Sequence, residues 1–272
     1  MGSAAILSEE QLREYRTAGF TFLPGLLSPG EMAAVMERVK RLCGSERRRE
    51  VILEKDGKTV RSLMNAHRFD NAIDRFVRHP ALIGAARQLV ASEVYIFQSI
   101  INLKWAFTGD VWPWHQDYPT YMEDDGMPTP RAVNVLVFLE EVSEFNGPLM
   151  FIPKSHRVGK LPAGHDVTTT SYPLWTIDHA TITRLVEQGG IVAPKGPPGS
   201  ILLFHCNLVH ASGSNLTPWS RWIVYLSLNR CDNAIRRFSR PAHIANRDFT
   251  PIEMLPDDCL IRYARERRPA AE

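Results

Sequence analysis

The chain has 272 residues, 32 of them Lys or Arg against 30 Asp or Glu, for a net charge of +2. With 44% hydrophobic and 23% charged residues its composition is that of a globular protein, which excludes a disordered chain, a collagen and a coiled coil. The length suits one large domain, and a balanced charge without a basic stripe argues against a nucleic-acid binder.

The opening Met1-Gly2-Ser3-Ala4-Ala5-Ile6 lacks the basic and apolar regions of a secretory signal. Ser8-Glu9-Glu10-Gln11 is a capping-box pattern that predicts a helix to Ala18, ended by Gly19. Phe20–Pro24 reads as a short strand. Ser28-Pro29-Gly30-Glu31 starts a second helix, with Met32, Val35, Met36, Val39 and Leu42 on one face. Arg47-Arg48-Arg49, between Glu46 and Glu50, reads as a solvated face. Val51–Val60 is charged, a hairpin or a loop, and Pro80–Val90 predicts a third helix.

From Glu93 the texture changes. Val94–Leu103, Ala132–Leu139, Leu149–Ile152, Ser200–Phe204 and Trp222–Leu228 are apolar, β-branched or aromatic runs between turn-forming clusters. Such spacing predicts a β-sandwich or barrel, not βαβ units. An insertion, Leu161–Gly190, carries one helix near Ala180–Gln188, and the charged stretch from Arg262 reads as a fraying tail. No run approaches the ~18 apolar residues of a membrane span. Cys43, Cys206, Cys231 and Cys259 form no C-x-x-C pair and read as reduced thiols of a cytoplasmic protein.

The sharpest feature is Trp112-Pro113-Trp114-His115-Gln116-Asp117-Tyr118. On an extended strand His115 and Asp117 share a face, which supplies half of a facial triad of two histidines and one carboxylate. His210, after the strand Ile201-Leu202-Leu203-Phe204, is the favoured third ligand, with His205 as a competitor. Arg221, with Ser212, would supply the cationic fork and hydroxyl that a 2-oxoglutarate carboxylate needs. Trp112, Trp114, Tyr118 and Tyr121 surround the motif. Tyr118 and Tyr121 are the favoured substrate contacts, with Trp114 beside them.

Several separated motifs resemble the phytanoyl-CoA dioxygenase family of Fe(II)/2-oxoglutarate oxygenases, and within it the ectoine hydroxylase branch. They are Gly19–Ser28, Gln98-Ser99-Ile100-Ile101-Asn102, Glu123–Pro128, Asn146–Pro153 and Phe204–Ser212, with Asn215–Pro218 and Arg221 beyond. The resemblance implies a mainly β fold with flanking helices, a double-stranded β-helix or jelly-roll. It implies Fe(II) on His115, Asp117 and His210, and 2-oxoglutarate held by Gln98, Asn102, Ser212 and Arg221. With O2, such a site hydroxylates a substrate C–H and releases succinate and CO2. The implied organisation is one catalytic domain over 1–272: helical support to residue 92, a jelly-roll core over 93–235 with 161–190 as a lid that Trp175 closes, and a C-terminal segment over 236–272.

The sequence also departs from the branch. Where ectoine hydroxylases carry an aromatic and then Glu-Thr-Trp-His, this chain has Tyr118-Pro119-Thr120-Tyr121-Met122. That points to a small amino-acid-like or specialised-metabolite substrate, with ectoine itself as the alternative. A jelly-roll metal enzyme without 2-oxoglutarate and a catalytically silent binding protein remain as rivals. The expected partner is the small-molecule substrate, with no nucleic acid or membrane, in a monomer or homodimer.

Overall fold

A computed structural model describes residues 6–43 and 48–266. The segment 1–5, Glu46 and Arg47, and the tail from 267 onward lie outside the described residues.

The elements run α1 (Glu9–Ala18), β1 (Phe20–Leu23), α2 (Pro29–Cys43), β2 (Val51–Leu53), β3 (Val60–Met64), α3 (Asn71–Val77), α4 (Pro80–Val90), β4 (Val94–Lys104), β5 (Trp112–His115), α5 (Asp117–Glu123), β6 (Ala132–Phe138), β7 (Leu149–Phe151), β8 (Gly164–Asp166), β9 (Leu174–Thr176), α6 (His179–Gly189), β10 (Ile201–His205), β11 (His210–Ser212), β12 (Arg221–Arg230) and α7 (Cys259–Glu266). Both capping boxes form. Ser8 and Gln11 satisfy each other's backbone N–H at the start of α1, and Ser28 and Glu31 do so at α2. Gly19 ends α1 at φ +93°, and a Cβ there would lie 2.5 Å from His156 Nδ1, so glycine is required twice over.

Two antiparallel sheets face each other, ordered β1-β10-β6-β12-β4-β3-β2 and β7-β11-β5-β9-β8. The larger is buried on both faces, and the period of two sorts its residues. Val133, Val135 and Val137 of β6, and Trp222, Val224, Leu226 and Leu228 of β12, pack in one cluster with Val35, Phe76 and Leu82 of the helical layer. The alternate residues Leu136, Phe138 and Ile223 pack inward with Leu149 and Phe151 of the smaller sheet. This sandwich of unequal antiparallel sheets is the expected jelly-roll, with helices covering the outer face of the larger sheet.

Of the two readings of 51–60, the structure has the hairpin, β2–β3. Two other expectations change. A helix unannounced by the apolar pattern, α3, starts where the Asp70 carboxylate accepts from Ala72 and Ile73 N–H. The stretch from Arg262 is helical as far as Glu266, because Leu260 and Tyr263 bury one face of α7 against the body. No helix among the described residues is long and apolar enough to cross a membrane. All four cysteines are free thiols.

Candidate active site

Strand pairing builds the site. β5 and β11 are antiparallel neighbours, and His115 and His210 are direct partners in their register. Residues directly opposite share a face, so both rings enter the same space, 4.1 Å apart between centroids. Asp117 arrives differently from expectation. β5 stops at His115, and Asp117 is the first residue of α5. Its N–H and that of Tyr118 both donate to the Cys206 carbonyl, at 3.1 and 3.0 Å, which ties the helix start to the end of β10.

Among the described residues, His115, Asp117 and His210 are a group whose ligand atoms all lie within 4.8 Å of one another. The ring tautomers follow from their partners. His115 Nδ1 donates to Pro113 O at 2.6 Å and His210 Nδ1 to Leu208 O at 3.0 Å, because a carbonyl only accepts. Each Nε2 then faces the carboxylate, 3.8 Å from one of its oxygens. Burial, and the neighbouring His210, hold the His115 pKa well below its usual value, so the ring stays neutral. Burial raises Asp117, against the pull of His210, Tyr225 and Asn134.

The carboxylate is held from one side. Asp117 Oδ2 accepts from Asn134 Nδ2 and from the Tyr225 hydroxyl, each at 2.7 Å. Asn134 Oδ1 accepts from Ser227 Oγ at 2.9 Å, which fixes the amide so that its NH2 faces Asp117. Oδ1 of Asp117 is thus the oxygen left for a metal. Such outer partners typically contribute about 10–100-fold to metal affinity or activity. Asn134→Ala should therefore weaken iron binding within that range without unfolding the chain, as read by a chelator-competition titration and a melting curve.

Gln98, Asn102, Ser212 and Arg221 line the same pocket as the three ligand residues. Alternation along β4 and β12 puts Gln98 and Asn102 on one inner face and Arg221 beside them. Arg221 is 1% exposed, and its Nε and Nη1 find no hydrogen-bond partner among the described residues. Burial and nearby Arg61 both lower its pKa, to about 9, against the pull of Glu140. Gln98 Nε2 donates to the Ile244 carbonyl at 3.1 Å.

The aromatic expectations divide. Tyr121 lines the pocket, one helical turn beyond Asp117 on the same face of α5, with its hydroxyl 2.7 Å from Ser227 Oγ. Trp114 does not. Its neighbour His115 faces inward, so Trp114 faces outward and packs on Ile152, Leu161 and Ile177. Tyr118 also turns away, into a cluster with Met127 and Ala132, and donates to Pro128 O at 3.1 Å. Trp175 packs on His165 and donates to Asp124, while its insertion gives the pocket Tyr172 and Leu174 instead.

Sequence reasoning missed Tyr225, Asn134, Arg240 and Tyr172. Tyr225 was within reach, since it sits four residues past Arg221 on one strand and therefore on one face. Arg240 follows no regular element. Its Nε and Nη2 are anchored on buried Asp125 and its Nη1 lies 3.3 Å from the Tyr172 hydroxyl.

His205 stands outside the pocket. It lies against Tyr15 and His156, and its Nδ1 accepts from Asn207 N–H at 3.0 Å. Burial, with His156 adding to it, lowers its pKa from 6.5 to about 4. The unfolded chain takes up this proton near its usual value and the folded chain does not. Stability is therefore complete above that value and is lost as pH falls toward 4. The loss from this group is about 2 kcal/mol at pH 5. His205→Gln should flatten the acid limb by that amount in urea unfolding at pH 5 and pH 7.

Comparison with known proteins places the chain in a family. A family model described as Phytanoyl-CoA dioxygenase (PhyH) matches residues 15–223. Ectoine dioxygenase of Bordetella bronchiseptica is 38% identical over 258 residues, 90% of this chain and 84% of that protein. L-proline trans-4-hydroxylase of Streptomyces griseoviridis is 33% identical over 270 residues, 96% of this chain and all of that one. EctD from S. alaskensis, solved with 2-oxoglutarate and 5-hydroxyectoine, superposes with a TM-score of 0.83 at 30% identity, over 94% of this chain and 89% of that one. With the triad in place and the family model spanning most of its length, the chain belongs to the phytanoyl-CoA dioxygenase family and is a non-haem Fe(II)- and 2-oxoglutarate-dependent dioxygenase.

Proposed function

We propose that the protein hydroxylates a small amino-acid-like molecule, with His115, Asp117 and His210 holding Fe(II) and with Arg221 and Ser212 gripping 2-oxoglutarate beside Asn102 and Gln98. One observation carries this reading: a histidine and carboxylate cluster shares its pocket with a buried arginine whose Nε and Nη1 have no partner among the described residues. The donor set fits iron, since imidazole and carboxylate on one face leave the other open. Bound there, Fe(II) and 2-oxoglutarate supply the O2 activation that puts one oxygen atom on a substrate C–H while succinate and CO2 leave.

The chain's own residues do the rest. Asn134 and Tyr225 keep the Asp117 carboxylate turned to one oxygen. Arg221 offers a planar fork to a carboxylate, and the apolar wall of Ile223 and Leu149 excludes water around it. Thr120, Tyr121, Tyr172, Leu174 and Arg240, which also line the pocket, are assigned to the substrate. Arg240 is anchored by Asp125, which leaves Nη1 to meet an anionic or carbonyl group where it now meets Tyr172. The ectoine and L-proline in the relatives' names support an amino-acid-like substrate. Pro119, Tyr121 and Met122, in place of the ectoine branch's Glu, Trp and His, support one other than ectoine. In this reading the 161–190 insertion roofs the pocket through Tyr172 and Leu174, and the enzyme works in the cytoplasm as one catalytic domain.

The test is a substrate panel containing L-proline, ectoine and other small amino acids, given to iron-loaded protein with 2-oxoglutarate and O2. A member of the panel should accelerate succinate release and gain one oxygen atom by mass spectrometry. Iron-loaded protein that binds no 2-oxoglutarate in an anaerobic calorimeter would overturn the reading.

A further inference from the structure

Lys104, the last residue of β4, is 2% exposed and lies directly across the sheet from Arg221. Its ammonium is fully engaged. It donates to Asp110 O at 2.9 Å, to Ser212 Oγ at 3.0 Å and to the Gly213 carbonyl. Its stem runs through a slot built for it. A Cβ at Gly109 would lie 2.2 Å from Lys104 Cγ, and one at Gly147 would lie 2.7 Å from Lys104 Cδ.

The electrostatics of this placement are unfavourable without a ligand. Lys104 and Arg221 are buried near Arg61, and Arg61 already has its own anion, Glu54, at 2.8 Å. Burial and the two arginines press the Lys104 pKa well below its usual value, against the pull of Glu54 and Asp110. A lysine kept in such a place has a task that Arg221 alone does not perform.

The hydroxyl of Ser212 identifies that task. A serine hydroxyl has one proton to give and lone pairs to receive with. Here Oγ receives from Lys104, and no acceptor for its proton is found among the described residues. The proton is left to point into the pocket, which Ser212 lines together with Arg221. We propose that Lys104 is a positioning residue for 2-oxoglutarate: by donating to Ser212 Oγ it turns the Ser212 proton toward the carboxylate that Arg221 grips. This rests on the pocket assignment made under the proposed function.

The experiment measures 2-oxoglutarate binding to Fe(II)-loaded protein by anaerobic calorimetry, for Lys104→Met, Ser212→Ala, the double variant and Arg221→Met. Lys104→Met keeps a stem of similar shape in the glycine slot and removes the ammonium. Lys104→Met and Ser212→Ala should each weaken binding about tenfold, the worth of one charge-assisted hydrogen bond. The double variant should be no weaker than the worse single by more than about twofold, because the two changes remove one interaction. In turnover, the KM for 2-oxoglutarate should rise while kcat and the substrate KM stay, a split that a merely structural role would not give. Lys104→Met binding as tightly as the natural chain, or a fully additive double variant, overturns the proposal. If Lys104→Met does not fold, Ser212→Ala decides alone, since unchanged affinity there leaves Lys104 nothing to position. Arg221→Met separates the two levels. If it binds normally the pocket assignment fails. If it loses binding while the other single variants keep theirs, only the role of Lys104 fails.

Discussion

Asp117→Ala should abolish both iron retention and hydroxylation while leaving the fold intact. Asp117 is the one carboxylate in this cluster among the described residues, and the imidazoles of His115 and His210 cannot replace its charge. The loss should exceed the about 10–100-fold expected for an outer partner such as Asn134. Removing the carboxylate also releases Asn134 and Tyr225, which lose their shared acceptor Oδ2. Tyr225 lines the pocket, and the space the Asp117 side chain vacates lets water reach both donors, so the cost to stability stays small. Iron per chain after desalting, with succinate release alongside, makes the check. A variant that keeps iron and hydroxylates would remove Asp117 from the ligand set.

Arg221→Met should have two effects of opposite sign. Binding of 2-oxoglutarate should weaken by about a hundredfold or more, since truncating one partner of a buried charge pair costs about 2–5 kcal/mol. The free protein should instead become more stable. Arg221 is buried beside Lys104 with Nε and Nη1 unpartnered, and replacing a buried ion by an apolar side chain of similar size often gains about 1–4 kcal/mol. Melting curves with and without 2-oxoglutarate read both. The natural chain should gain stability from the ligand by mass action, and the variant should start higher and gain nothing. A variant that is destabilised without ligand would show that the guanidinium already has its counter-charge inside the protein.

Much of this fold is legible because its signals are local. The two capping boxes, the helix from Pro80 and the long strands β4, β6 and β12 announce themselves through spacing and turn residues. The larger sheet is harder to assign by period, since both its faces are buried and alternation disappears into continuous apolar runs. What survives is the placement of polar exceptions: Gln98, Asn102, Arg221 and Ser227 interrupt apolar strands on the inner face. The triad was readable as residue types, yet its geometry was not. Asp117 reaches the site from the first turn of a helix, and nothing in the spacing His115-Gln116-Asp117 distinguishes that from an extended strand. Trp114 was misplaced because an aromatic beside a ligand residue on a strand faces the other way. The substrate end was hardest to read, since Tyr172 and Arg240 lie in segments without periodicity, where the chain path is set by contacts distant in sequence.

Strand β9 meets β5 at a single register position, Thr176 opposite His115, and the next amide, Ile177 N–H, donates to Trp114 O at 2.9 Å. The segment bearing the roof residues Tyr172 and Leu174 is therefore stitched to the strand that ends in a ligand histidine. Anything that stiffens His115 damps opening of that stitch. Iron loading should slow deuterium uptake at Ile177 well before substrate is present, so that the roof is pre-set by the metal and awaits only the molecule beneath it.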